Sequence, residues 1–513
     1  MLVEEKAHTA HVEDPEDVKG DVVEQVTLTE EDNVRIRRKT DKYILTLLVW
    51  VYFLQIYDKT VFGYGNTFGL STDLGLVKQD YSLASSMTSI ATLCWQPFSA
   101  FIIVRFPPRY LMTIFVFCWG TSAACMSAVT NSGGLFATRF LLGLFEAANI
   151  PLFSMLTATW YRRNEQPLRV CAWFITNSAA TIVAALVSYG LGHTNSSFRP
   201  WQGLYLSAGL ITVLTAPIVW YRLDNDVYSA RFWKDDYERD QAIERLRANQ
   251  TGQGSRIFKW AQVREMFLDP KSWLFASLIC IPNISAHVAN TYGPTLIKGM
   301  GYDSFNATLL NIPFGCLQAV AILLGCYAAA RFKIKSAMVV TLALLGLAGG
   351  LMLYFGNLPD ELNRPLALTG YYFLAFSFGS SPIIYSWAIA NVGGQTKKST
   401  LLSFMNCATA TGQLTGPLLL DARDAPRYLP GARSLMISQA VLLAAVIAQV
   451  FCLYTFNKKK EAQRAALGKP RKIHDTSMDR KYTQAEPSTL SEADAKAQED
   501  RTDFNNEMFV YVY

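Results

Sequence analysis

The chain is 513 residues long, 51% hydrophobic and only 17% charged, with a formal net charge of +6 at pH 7. Soluble proteins carry about 25% charged residues, so a soluble enzyme and a disordered scaffold do not fit this composition. A nucleic-acid binder does not fit either, because Lys and Arg lie at the ends of apolar runs and form no basic patch.

Charge crowds into residues 1–42, 222–271 and 458–513. The remainder is nearly uncharged in stretches of about 20 residues, the length that crosses a bilayer core of about 30 Å as a helix. Residues 1–34 hold eleven acids against Lys6 and Lys19, and 1–42 reads as a disordered tail. Twelve spans follow, at 43–65, 83–104, 111–130, 134–159, 170–192, 201–221, 272–297, 308–330, 337–356, 366–390, 401–420 and 434–457. Several contain proline, as at Pro97, Pro151, Pro217, Pro313 and Pro382, which a membrane bundle tolerates. The expected fold is all-α: a six-helix bundle over 43–221, a linker over 222–271, a second bundle over 272–457 and a disordered tail over 458–513. Within the linker, Asp235 to Asn249 has the spacing of a surface helix. All nine cysteines fall inside spans and read as small packing residues.

Twelve spans put both termini on one side, and Lys and Arg choose the side. With cytoplasmic termini, the short inner loops carry ten basic residues against seven outside. Arg35, Arg37, Arg38, Lys39 and Lys42 flank span 1, and Lys458, Lys459 and Lys460 follow span 12. Both termini are therefore expected in the cytoplasm.

An internal echo points to duplication. Arg105-Phe-Pro-Pro-Arg109 follows span 2, and Arg331-Phe-Lys-Ile-Lys335 follows span 8, 226 positions later. Pro151 in span 4 and Pro382 in span 10 are 231 apart. Two six-span halves related along the membrane normal are the plan of the major facilitator architecture. Arg105, Arg109, Arg331 and Lys335 become candidates for inner-loop gating.

Ionisable residues that interrupt spans are costly, roughly 2.5–3.5 kcal/mol each near a helix centre. The first half has four: Asp58 and Lys59 in span 1, Arg139 and Glu146 in span 4. Mutually neutralising ion pairs are the bland explanation, but buried pairs stabilise poorly compared with apolar residues. Arg139 and Glu146 are two helical turns apart on one face, about 10 Å along the axis. Asp58 reaches a depth similar to Arg139, so those two can meet. A carboxylate whose surroundings alternate can load and release a proton, and Arg can hold an anion with two parallel hydrogen bonds. The second half offers neutral groups instead: Asn283, His287 and Asn290 at i, i+4, i+7 in span 7, Gln318 in span 8 and Asn406 in span 11. Part of a substrate pocket is expected there, although any one of them also suits an interhelical hydrogen bond. Of five histidines three lie in the tails, so a His-based metal site lacks parts and no cofactor is expected.

The chain resembles fungal members of the anion:cation symporter family of the major facilitator superfamily, which includes allantoate, nicotinate and pantothenate permeases. The resemblance runs through most of the chain. It includes Tyr57-Asp58-Lys59-Thr60, the stretch from Arg139 to Glu146, the stretch from Trp160 to Arg169, the stretch from Glu244 to Gly252, and Asp269-Pro-Lys-Ser-Trp273. It implies proton-coupled uptake of a small organic anion across a plasma membrane. It also implies proton coupling at Asp58 and Glu146 and anion binding or gating at Lys59 and Arg139, with Tyr57 beside them. Lys59 stands where many relatives carry Arg, and neither inner turn has the acid that usually precedes its basic pair. Two rival readings stay open: an exporter of small amphiphilic compounds by proton antiport, and a nutrient-sensing receptor with little transport. A phosphate loop at Gly393–Thr400 lacks the Gly required before its Lys, so a nucleotide-driven pump does not fit.

Overall fold

The computed structural model describes residues 28–67, 69–76, 80–192, 199–247, 258–302, 310–332, 334–358, 363–419, 429–471 and 500–513. Every regular element among them is helical. Among the described residues, eleven helices are long and apolar enough to cross a membrane. The twelfth, span 11 at Gln395–Leu418, has the length but is diluted by Lys397, Lys398, Asn406 and Gln413.

Span 1 begins earlier than its apolar run. Thr29 and Asp32 form a capping box, with the Asp32 amide donating to Thr29 Oγ1 at 3.2 Å. The helix then continues from Glu30 through a π-helical turn at Asp41–Leu45 to Thr67. Residues 28–42 are thus folded, not part of a disordered tail as their composition suggested. Arg35 donates to Gln241 at 3.0 Å, and Lys39 pairs with Glu238 at 2.5 Å. Both partners lie on the linker helix Asp236–Arg247. Arg245 of that helix is bonded to Glu165 and, at 2.7 Å, to Asn33, which lashes helix, linker and the turn after span 4 together.

The other tail departs from expectation as well. Span 12 runs on to Ala466, and residues 500–513 pack against the ends of the second bundle. Residues 30–40 and 500–513 lie on the same face, here called the terminal face.

Spans 4 and 10 are each interrupted. Span 4 is Ser132–Glu146 followed by Asn149–Trp160, and span 10 is Arg364–Phe373, a 3-10 segment and Ser380–Ala390. Pro151 and Pro382 explain the breaks, since proline removes the donor to the carbonyl four residues earlier. The two six-span halves meet most extensively through span 2 (Asp80–Arg105) and span 11. Near the terminal face this seam is tight. Ser99 and Ser403 hydroxyls lie 2.9 Å apart, and Ser399 donates to the Ala100 carbonyl at 3.1 Å. Phe174 of span 5 and Tyr385 of span 10 add a ring contact at 5.9 Å.

Candidate functional site

The four charged residues that interrupt spans of the first half lie near one another inside the helix bundle. Gly143 lies between Arg139 and Glu146 on the buried face of span 4, where a Cβ would sit 2.6 Å from the Thr88 Cα. Only glycine permits that backbone approach of span 2, which sets Arg139 and Glu146 deep in the bundle, each 3% exposed.

Among the described residues, Arg139 has no carboxylate partner. Its Nε donates to the Ala84 carbonyl at 3.3 Å, and its guanidinium lies 3.9 Å from the Phe62 ring centre. Its Nη1 meets no hydrogen-bond partner among the described residues. A buried guanidinium with an unused nitrogen is a ready receptor for an anion.

Asp58 and Arg139 do not pair. Asp58 instead accepts from Trp119 Nε1 at 2.6 Å, while its Oδ1 lacks a partner among the described residues. The ion pair that forms is Lys59 to Glu146, at 2.9 Å, with an angle outside hydrogen-bond geometry. The Lys59 side chain keeps 34% exposure while Glu146 keeps 3%. The pair therefore joins an open end to a buried one. Successive residues on a helix point about 100° apart, so Asp58 turns to span 3 and Lys59 to span 4.

Next to Glu146, the break in span 4 has a further consequence. Pro151 cannot donate to the Ala147 carbonyl, so that oxygen is available. It accepts from Gln96 Nε2 of span 2 and from Asn406 Nδ2 of span 11, both at 2.6 Å. Asn406, expected in the substrate pocket, is thus a clasp between the two halves.

The other second-half candidates scatter. Asn283 donates to the Ile279 carbonyl of its own helix at 2.8 Å. His287 is half-buried and within electrostatic reach of Lys59 and Arg139, so it faces the charged group across the interface. The Asn290 side chain lies outside the described residues. Gln318 is buried, and its Oε1 has no partner among the described residues. Tyr57 is buried and stacks on Phe53 at 6.1 Å.

The inner-loop candidates separate in the same way. Arg109 stays within its half, donating to the Trp220 carbonyl at 2.6 Å. Arg105 and Arg331 are exposed. Lys335 alone is buried, donating to the Ser386 carbonyl at 2.9 Å. The dense charge at the terminal face involves residues that the spacing had not singled out: Glu165 with Arg245, and Lys271 and Lys397 with Asp269 and Asp503.

The sequence profile described as the Major Facilitator Superfamily matches residues 48–417. An uncharacterized transporter of Schizosaccharomyces pombe is 30% identical over 448 residues, covering 85% of this chain and 83% of its own. The allantoate permease of Saccharomyces cerevisiae is 26% identical over 460 residues, covering 87% and 84%. Among solved structures, the proton:xylose symporter XylE aligns with a TM-score of 0.62 at 13% identity over 80% of this chain and 95% of that one, a likeness of fold alone. The profile covers well over half of the sequence and the fungal relatives span nearly all of it, so this chain belongs to the Major Facilitator Superfamily of membrane transporters.

Proposed function

We propose that this transporter takes up a small organic anion, a carboxylate such as a vitamin acid or ureide, together with protons, and that its terminal face is cytoplasmic at a plasma membrane. The observation that carries this reading is the Lys59–Glu146 ion pair beside an Arg139 that has no carboxylate partner among the described residues. With both acids ionised, two cations and two carboxylates balance. A substrate carboxylate on Arg139 adds one negative charge, and a proton on Glu146 removes one. Protonation also releases Lys59, which can then turn to the substrate through its exposed side. Anion and proton thus load as a neutral set, the condition under which a low-dielectric site can move between faces. The permease name of the fungal relative supports the substrate class.

Labelled uptake from a panel of small carboxylates, including allantoate and nicotinate, in a host lacking its own carriers tests the reading. Uphill accumulation that rises as outside pH falls and collapses with a protonophore is expected. Accumulation insensitive to both would dismiss proton coupling, and uptake restricted to cations or neutral compounds would dismiss the anion.

A further inference from the structure

Residues 500–513 fill a site built from the second bundle. Asp503 enters deepest. It pairs with Lys271 and, at 2.9 Å, with Lys397, and both lysine side chains are fully buried. The Gly393 amide and the Tyr511 hydroxyl donate to the same carboxylate at 3.3 and 2.9 Å. Asp500 accepts from the Gln395 amide at 2.8 Å. Further along, the Val512 amide donates to Asn391 at 2.8 Å and its carbonyl accepts from Trp387 at 2.7 Å. The Tyr511 amide donates to Asn457 at 2.9 Å, and the Lys335 amide donates to the Tyr513 carbonyl at 2.9 Å. One short segment therefore ties together the terminal-face ends of spans 7, 9, 10, 11 and 12.

It also reaches the other half. The buried Phe509 ring lies 4.3 Å from the Arg163 guanidinium, in the turn after span 4. A cation over an aromatic face is attractive, more so when desolvated. The contact bridges the seam that must part if this face opens.

We propose that the terminal face of the second bundle is a binding site for an acidic, aromatic peptide, occupied by residues 500–513, and that its occupancy latches the two halves closed on this side. Asp503 is the key, because Lys271 and Lys397 are sealed from water and lose a shared counter-charge when the segment leaves. Phe509 is the bolt, because its ring meets Arg163 of the first half. Opening of this face then requires the segment to release Arg163 or to leave its site.

The test uses the full chain in nanodiscs, with no substrate, so it stands or falls apart from the anion reading. Hydrogen exchange over 500–513 reports docking. Alkylation of Ser403→Cys by a polar maleimide, read by mass spectrometry on the peptide that carries it, reports the seam. In the otherwise unaltered chain, slow exchange at Tyr511 and Val512 and slow alkylation are expected. Asp503→Asn is expected to speed both by about tenfold or more. Phe509→Ala is expected to leave exchange slow at Tyr511 and Val512 while alkylation still rises. Fast exchange in the unaltered segment overturns docking, and alkylation unchanged in either variant overturns the latch.

Discussion

Glu146→Gln separates coupling from transport. The substitution keeps the size and polarity of the side chain but removes the only carboxylate that pairs with Lys59 among the described residues. The structural cost is small. Lys59 retains 34% exposure, so the loss belongs with partly exposed pairs, about 1 kcal/mol, and not with the roughly 3–5 kcal/mol of a sealed pair. The functional cost is large. A gradient of about two pH units supplies about 2.7 kcal/mol per proton, enough for about a 100-fold accumulation at one proton per anion. In proteoliposomes with an acid outside, the unaltered protein is expected to approach that ratio, and Glu146→Gln to stop near equality. Exchange of labelled for unlabelled anion at equal pH should persist, since Arg139 and the released Lys59 remain. Accumulation well above equality by the Gln variant would refute the role of Glu146.

Arg139→Ala removes the buried cation that meets no carboxylate among the described residues, and hydrogen bonds to charged groups are worth about 1.5–3 kcal/mol, so anion affinity should fall by roughly 10- to 150-fold with helical content unchanged; equilibrium binding by scintillation proximity checks it. Asn406→Ala removes one hydrogen bond between halves, worth about 1 kcal/mol, and should raise Ser403→Cys alkylation about fivefold while Gln96 still holds the Ala147 carbonyl. Burial works against the ionised Asp503 carboxylate, but Lys271 and Lys397 outweigh it and hold its pKa below the ordinary range. Its contribution is therefore present above the ordinary carboxylate value and lost only as pH falls through the lower folded value. Protection of residues 500–513, corrected for intrinsic rate, should be the same at about pH 7 and about pH 5, and a loss between them contradicts the pairing.

The span pattern was legible because a bilayer demands long apolar runs, and the helix ends departed from it where a helix took in polar or charged residues beyond its run. Span 11 is the case in point: Lys397 and Lys398 sit inside its helix, not before it. The depth of Asp58, Lys59, Arg139 and Glu146 could be counted along the chain, but which side each faces depends on packing. Depth alone paired Asp58 with Arg139, whereas the helix turn hands Asp58 to Trp119 and Lys59 to Glu146. Asn406 looked like a substrate ligand because a polar residue in a span needs a partner. The partner was hidden in a different span, and its signal was Pro151, four residues after the carbonyl it frees. The tails misled through composition. Residues 458–513 average out as polar, yet Phe509-Val-Tyr-Val-Tyr513 is an apolar run with Asp503 just ahead of it. An acid that neutralises two lysines more than 100 positions away leaves no local pattern.

The halves share a plan but divide the charge. The ionisable groups that interrupt spans lie in the first half, where the proposed function gives them substrate and proton to hold. Lys271 and Lys397 of the second half sit at the terminal face, where they hold the segment 500–513. Span 11 joins the two places. Asn406 grips the carbonyl one residue after Glu146, and Lys397, nine residues away or roughly 14 Å along the same helix, grips Asp503. A straight helix of 24 residues moves as one rod, so parting at its Lys397 end tilts it about the Asn406 clasp near its middle unless the helix bends. Span 11 contains Pro417 only near its far end, so no proline kink lies between Lys397 and Asn406 to absorb a bend. Parting the seam therefore loads the Asn406 clasp and the Phe509–Arg163 contact together. If Glu146 carries the proton and residues 500–513 form the latch, both bias one movement through the same rod, with no conformational relay required between them.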